Sequence, residues 1–151
     1  MTDEGTGGAA AALDPMLCFA IYSAERQVAR LYREALAPWD LSYTQYVALI
    51  ALWNEDGLTV GGLGALLGLD SGTLSPMLKR LEARGLLTRT RRPDDERVVR
   101  VTLTDEGREL RRISEEVQRC FVERMPLSLA EAGDLRSRLR GLTGRMAASA
   151  A

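Results

Sequence analysis

Two cysteines, four tyrosines and no histidine bound the chemistry open to this chain of 151 residues. Cys18 and Cys120 stand 102 positions apart, a spacing that suits neither a zinc site nor a redox Cys-x-x-Cys pair. The absence of histidine removes histidine triads, histidine zinc sites and the commonest general base. Lys79 is the sole lysine, so an enzyme would have to be built from carboxylates and arginine. The expectation is a protein that is not an enzyme and holds no metal or cofactor. What remains is thiol chemistry at Cys18, in "MLCFAIYSAERQVARLYREAL". A free cysteine in a helix is more often a small buried hydrophobe than a reactive group. A place near a helix N-terminus shifts that balance, because unpaired amides and the helix dipole favour thiolate there.

The second chemistry is recognition of polyanion. The net charge is −1, but its distribution is uneven. Residues 77–103 carry eight basic and four acidic side chains, whereas residues 1–41 carry six acids and three arginines. A basic face on an otherwise acidic chain suits nucleic acid, although a solvated surface would look the same by charge alone.

The elements that must position these groups follow from pattern. Residues 1–12 read as a disordered tail, acidic where a secretion signal is basic, and no run is long enough to span a membrane. A cytoplasmic location is expected. Asp14-Pro15 predicts a helix start that places Cys18 at about the fourth helical position, and Pro38 ends the run. Ser42 with Gln45 predicts a capping box for a second helix, and Thr59 caps the glycine-rich "VGGLGALLG". Asp70 opens "SGTLSPMLKRLEARG", with Gly85 at its C-terminal cap and a slight distortion expected at Pro76. "LLTRTRR" and "RVVRVTL" then flank Pro93-Asp94-Asp95-Glu96 as a hairpin. Thr104 caps a fifth helix reaching about Met125, and Ser128 with Glu131 caps a sixth to about residue 147.

This order predicts a mainly α fold with a small β-hairpin wing: a winged helix-turn-helix over about 42–104, within one domain spanning 13–151. The helices at about 14–37 and 104–147 have apolar stripes with nothing else to cover them, so a homodimer is expected. A dimer of winged helices suits double-stranded DNA at a pseudo-palindromic operator. Ser71, Thr73, Ser75, Lys79 and Arg80 on the second helix of the motif have the types for phosphate and base-edge contacts. So do Arg91, Arg92 and Arg97 on the wing, where Asp95 is expected to brace Arg97 through a charge-assisted bond. Trp39 and Trp53 read as core or interface anchors.

At "SGTLSPMLKRLEARGLLTR", and at Asp95-Glu96-Arg97 followed by "VRVTLTDEG", the chain resembles the MarR family of dimeric winged-helix regulators. The likeness runs from about residue 15 to the C-terminus. Within that family, "LCFAIYSA" with Tyr32 and Tyr43 resembles the organic-hydroperoxide-responsive repressors of the OhrR type. The resemblance implies that Cys18 is the reactive thiol and that Tyr32 and Tyr43 hydrogen-bond it. It further implies that Cys120 is the resolving cysteine, joined between subunits to Cys18 after oxidation. Fourteen residues of straight helix separate Cys18 from Tyr32 by ~21 Å, so the tyrosine would have to come from the partner. Organic hydroperoxides are then the expected inducers. Two other readings stand beside this one: a MarR-type repressor relieved by a non-covalent phenolic ligand, and a thiol peroxidase, against which the lack of a peroxidase motif weighs.

Overall fold

The structure, a computed structural model, describes residues 12–149 apart from 92, 94 and 96. The expected tail therefore lies outside the described residues except for Ala12, which is helical together with Leu13. Helix α1 (Leu17–Leu36) begins later than the pattern predicts. Asp14 and Pro15 are spent on a turn closed by the Met16 N–H on the Leu13 carbonyl at 3.0 Å. Met16 takes the cap position with no side-chain bond. Asp14 is thus not the cap, and Cys18 is the second helical residue, not the fourth.

A 3₁₀ turn (Ala37–Trp39) accommodates Pro38 and leads to α2 (Tyr43–Asn54). Its capping box forms as expected: Ser42 Oγ accepts from the Gln45 N–H and Gln45 Oε1 from the Ser42 N–H. Thr59 caps α3 (Val60–Leu67), and Asp70 caps α4 (Ser71–Ala83) by accepting the Thr73 N–H at 2.9 Å. Pro76 leaves α4 unbroken. Gly85, at φ +71°, turns the chain out of the helix in the left-handed region that favours glycine.

The wing is β1 (Leu87–Arg91) paired antiparallel with β2 (Val99–Leu103), Leu87 opposite Leu103 and Arg91 opposite Val99. A single bridge from Thr59 to Arg100 ties β2 to the start of α3. The predicted fifth helix is in two pieces, α5 (Asp105–Glu109) and α6 (Ile113–Arg124), joined by a 3₁₀ turn at Leu110–Arg112. The break has a cause. The Trp53 indole N–H donates at 2.7 Å to the Gly107 carbonyl, which an unbroken helix would offer to the Arg111 N–H. Helix α7 (Leu129–Ser149) follows, with Ser128 and Glu131 bonded reciprocally at its start.

The core lies under the helix-turn-helix. Leu49, Leu52, Leu63, Leu74, Leu78 and Leu81 from α2–α4 close over Leu87 and Val101 at the wing base, with Leu36 and Val117 from α1 and α6. The two Trp side chains pack against it, as anchors should. The opposite end is uncovered in the single chain: Leu17 is 66% exposed, Leu129 87%, and α7 buries no residue. None of the described helices is long and apolar enough to cross a membrane.

Gly107 is where these parts meet. A Cβ there would lie 1.9 Å from the Leu86 carbonyl oxygen, so backbone would have to move. Gly107→Ala is expected to destabilise the protein by about 2–4 kcal/mol, read by urea unfolding; an unchanged midpoint would show that the junction yields.

Candidate redox and DNA-reading sites

Helix α1 carries Cys18 at one end and Tyr32 near the other. The Cys18 thiol is exposed in the first turn, among amides that have no partner within the helix. Cys120 lies on α6, half-buried against the core. The sequence-predicted tyrosines come together. Tyr32 and Tyr43 have ring centroids 4.6 Å apart, and Phe121 stacks on Tyr32 at 4.7 Å. Tyr46 adds a fourth ring at 6.3 Å. Cys18 is not part of this cluster, since a continuous helix separates it from Tyr32.

Burial of Tyr32, reinforced by Tyr43 and Tyr46, pushes its phenol up to about 12. It therefore stays a hydrogen-bond donor throughout the neutral range. Beside the cluster, α7 walls an open groove of about 710 Å³ floored by Tyr32, Tyr43 and Phe121 and bordered by Leu135, Leu139 and Arg136. Phe121 escaped sequence reasoning. Its only signal is adjacency to Cys120, and nothing local says that α6 will lay it on α1.

The DNA-reading candidates lie on α4 and the wing. Ser71, Thr73, Lys79 and Arg80 are exposed, and Ser75 is half-buried. Thr73 is less free than its type suggests, because its hydroxyl donates to Asp70 Oδ2 at 3.1 Å. Ser71 and Ser75 face Arg97 across an open groove of about 410 Å³ between helix and wing. Arg91 is exposed at the end of β1; Arg92 lies outside the described residues. Asp95 and Arg97 do bond, but differently from expectation. The Arg97 backbone N–H donates to Asp95 Oδ1 at 3.0 Å, an interaction that shapes the wing tip through the main chain. A carboxylate two residues away reaches that amide with less stretch than it reaches a guanidinium.

Other arginines are committed elsewhere. The Arg84 guanidinium donates to the Trp39 and Asp40 carbonyls, capping the 3₁₀ turn. Arg89 is held by Glu82. Among the described residues no group of three or more His, Cys, Asp or Glu side chains is placed to hold a metal.

The MarR family profile matches residues 41–99, the helix-turn-helix and most of the wing. SarZ of Staphylococcus saprophyticus, an HTH-type transcriptional regulator, is 35% identical over 133 residues, covering 88% of this chain and 91% of that protein. The chain belongs to the MarR family. Its winged helix is the family's, and the organic hydroperoxide resistance transcriptional regulator of Bacillus subtilis is 46% identical over 95 residues, 63% of this chain. This MarR-family chain spans 65% of the length of that regulator and about half, 51%, of TtmR of Methylorubrum extorquens, to which it is 52% identical over 99 residues (66% of this chain). Among solved structures, reduced AbfR bound to DNA superposes with a TM-score of 0.80 at 32% identity, covering 93% of this chain and 96% of that one.

The raised Tyr32 phenol has a measurable consequence. The folded chain keeps a proton that the unfolded chain gives up near pH 10, so stability should fall between pH 10 and about 12 and then level. Tyr32→Phe should remove that part of the fall, and absorbance at 295 nm should lose its latest-titrating phenol. An unaltered pH profile would place Tyr32 in water.

Proposed function

We propose that this chain is a DNA-binding transcriptional repressor, working as a homodimer, that senses organic hydroperoxides through Cys18. The observation that carries the reading is the packed Tyr32–Tyr43 pair, Tyr32 half-buried and Tyr43 exposed, a donor site assembled at the end of α1 remote from its own Cys18. Antiparallel packing of two α1 helices brings the partner's thiol to that pair, and the exposed apolar residues of α1 and α7 are the surface such packing would cover. The B. subtilis relative is named for organic hydroperoxide resistance, and AbfR has been solved in reduced, overoxidized and disulfide forms. Both support the reading.

The chemistry follows from the groups present. The Cys18 thiolate attacks the distal peroxide oxygen, the O–O bond breaks, and the alcohol leaves after taking up a proton, so sulfur is oxidised to sulfenic acid. The Tyr32 and Tyr43 hydroxyls stabilise the thiolate by donating to it. The sulfenic acid then condenses with the thiol of Cys120 from the other subunit, releasing water and forming the disulfide. Bridged Cα atoms must come within ~7 Å, so α1 and α6 shift, and with them the spacing of the two α4 helices. Helices out of step with successive major grooves let go of the operator.

A second reading is kept by the groove beside Tyr32. The transcriptional regulator PcaV of Streptomyces coelicolor, 28% identical with a TM-score of 0.75, is solved with its natural ligand. A phenolic ligand in the groove would relieve repression with no change at sulfur.

The deciding experiment is a gel shift on the DNA upstream of the chain's own coding sequence, with and without cumene hydroperoxide. Oxidised wild type should lose the operator and run as a covalent dimer without reductant, both reversed by dithiol. Cys18→Ser should stay bound and uncrosslinked; its release by peroxide would end the thiol reading. Cys120→Ser should still be oxidised, but drift towards sulfinic and sulfonic acids. Arg97→Ala should weaken the reduced protein by about 1–3 kcal/mol if the wing reads a groove, and equal affinity at one salt concentration would remove that role.

A further inference from the structure

A two-stranded hairpin is marginally stable by itself, and this wing is held from outside on both edges. On β1, the Arg89 backbone N–H donates to Glu82 Oε1 at 2.9 Å. The Arg89 guanidinium closes a second contact on Glu82 Oε2 through Nε at 2.9 Å and Nη2 at 2.7 Å. On β2, the Leu103 N–H donates to Asp56 Oδ1 at 2.9 Å, and Asp56 Oδ2 takes Arg108 at 2.8 Å. On the same strand the Val101 N–H reaches the Leu58 carbonyl at 2.8 Å. Each edge is thus capped by a carboxylate that also holds an arginine.

The two acids stand on different elements. Glu82 is in the last turn of α4, so its bonds run from the reading helix straight to the wing. Asp56 lies between α2 and α3 and joins β2 to α5. Charge-assisted, multiply bonded contacts of this kind are the stronger class of hydrogen bond. Arg89 holds the Glu82 carboxyl below its usual range. For Asp56, burial pushes the other way, but the Leu103 N–H, Arg108 and the Gly57 N–H together outweigh it.

By charge alone, Glu82 is a liability on a face meant for DNA and Arg89 an asset. The geometry reverses both. We propose that Glu82 and Asp56 are positioning residues for DNA recognition. They fix the angle between the wing and α4, and so the place where Arg97 meets the duplex. Arg89 and Arg108 are consumed as their partners and make no phosphate contact. The inference rests on the DNA-binding reading above and deepens it.

The test uses the full-length reduced protein and a duplex that the wild type selects from a randomised pool, with Kd measured across a salt series. Removing an acid from a polyanion-binding face tightens binding if only charge matters; removing a brace weakens it. Glu82→Ala and Asp56→Ala should each weaken binding several-fold. Arg89→Ala should weaken it similarly with an unchanged salt slope, whereas losing a phosphate contact lowers the slope by about one. Glu82→Gln, which still accepts the Arg89 N–H, should fall between wild type and Glu82→Ala. Tighter binding by Glu82→Ala, or a lowered slope for Arg89→Ala, would overturn the proposal. A second readout needs no DNA: amide exchange at Arg89 should quicken in Glu82→Ala, and at Leu103 in Asp56→Ala, while core amides of α2 and α4 stay protected. Unchanged exchange at both overturns the brace. Failure of the wild type to select any duplex would instead count against DNA binding itself.

Discussion

The rest of the structure depends on the close approach of the α5 backbone to the end of α4. With Gly107 flush against the Leu86 carbonyl, Thr104 can donate its N–H to that same carbonyl and its hydroxyl to Gly85. The Gly107 N–H returns to Thr104 Oγ1 at 3.1 Å, and its carbonyl takes the Trp53 indole. Four elements therefore converge within one turn: α2, the exit of α4, the wing base and α5. Any larger side chain at 107 would separate them. The stretch "LTDEG", Leu103 to Gly107, has its physical meaning in this contact.

Because that junction is tight, the reading elements and α5 form one unit, and the 3₁₀ turn at Leu110–Arg112 marks where that unit ends. Beyond it, α6 carries Cys120 and Phe121 and packs on α1. The aromatic cluster sits on this far side, yet Tyr46 also meets Trp53 edge-on at 6.1 Å. Trp53 in turn bonds Gly107. Side chains that surround the candidate sensor site are thus only two contacts away from the wing base. Such contiguity is what coupling between a regulator's two regions needs, since packed interiors transmit displacement and do not absorb it.

Electrostatics on the reading face is more selective than its composition. Of the basic side chains between 77 and 103, Arg84 caps a turn and Arg89 is paired, while Lys79 and Arg80 lie exposed along α4 and Arg97 borders the groove between α4 and wing. The acids of this face are not simple repulsion either. Asp70 is spent on the first turn of α4, Asp95 on the Arg97 amide, and Glu82 on the wing. Each of these three carboxylates shapes backbone that presents a positive charge.

Local chemistry made much of this legible in sequence. Caps at Ser42, Thr59, Asp70, Thr104 and Ser128, the left-handed Gly85 and the change to β-branched residues at 87–103 are decided within a few residues, so the winged helix-turn-helix could be read directly. The length of α1 alone separates Cys18 from Tyr32. Tertiary structure decided the rest. It moved the start of α1 past Asp14, because a turn closed on Leu13 competes with a cap. It broke the fifth helix, because an indole fifty-four positions earlier takes a helical carbonyl. It also brought Phe121 onto Tyr32 and Asp56 onto the Leu103 amide. Long-range pairings of this kind are set by the packing of whole elements, and no window of local sequence contains both partners together with the geometry that joins them.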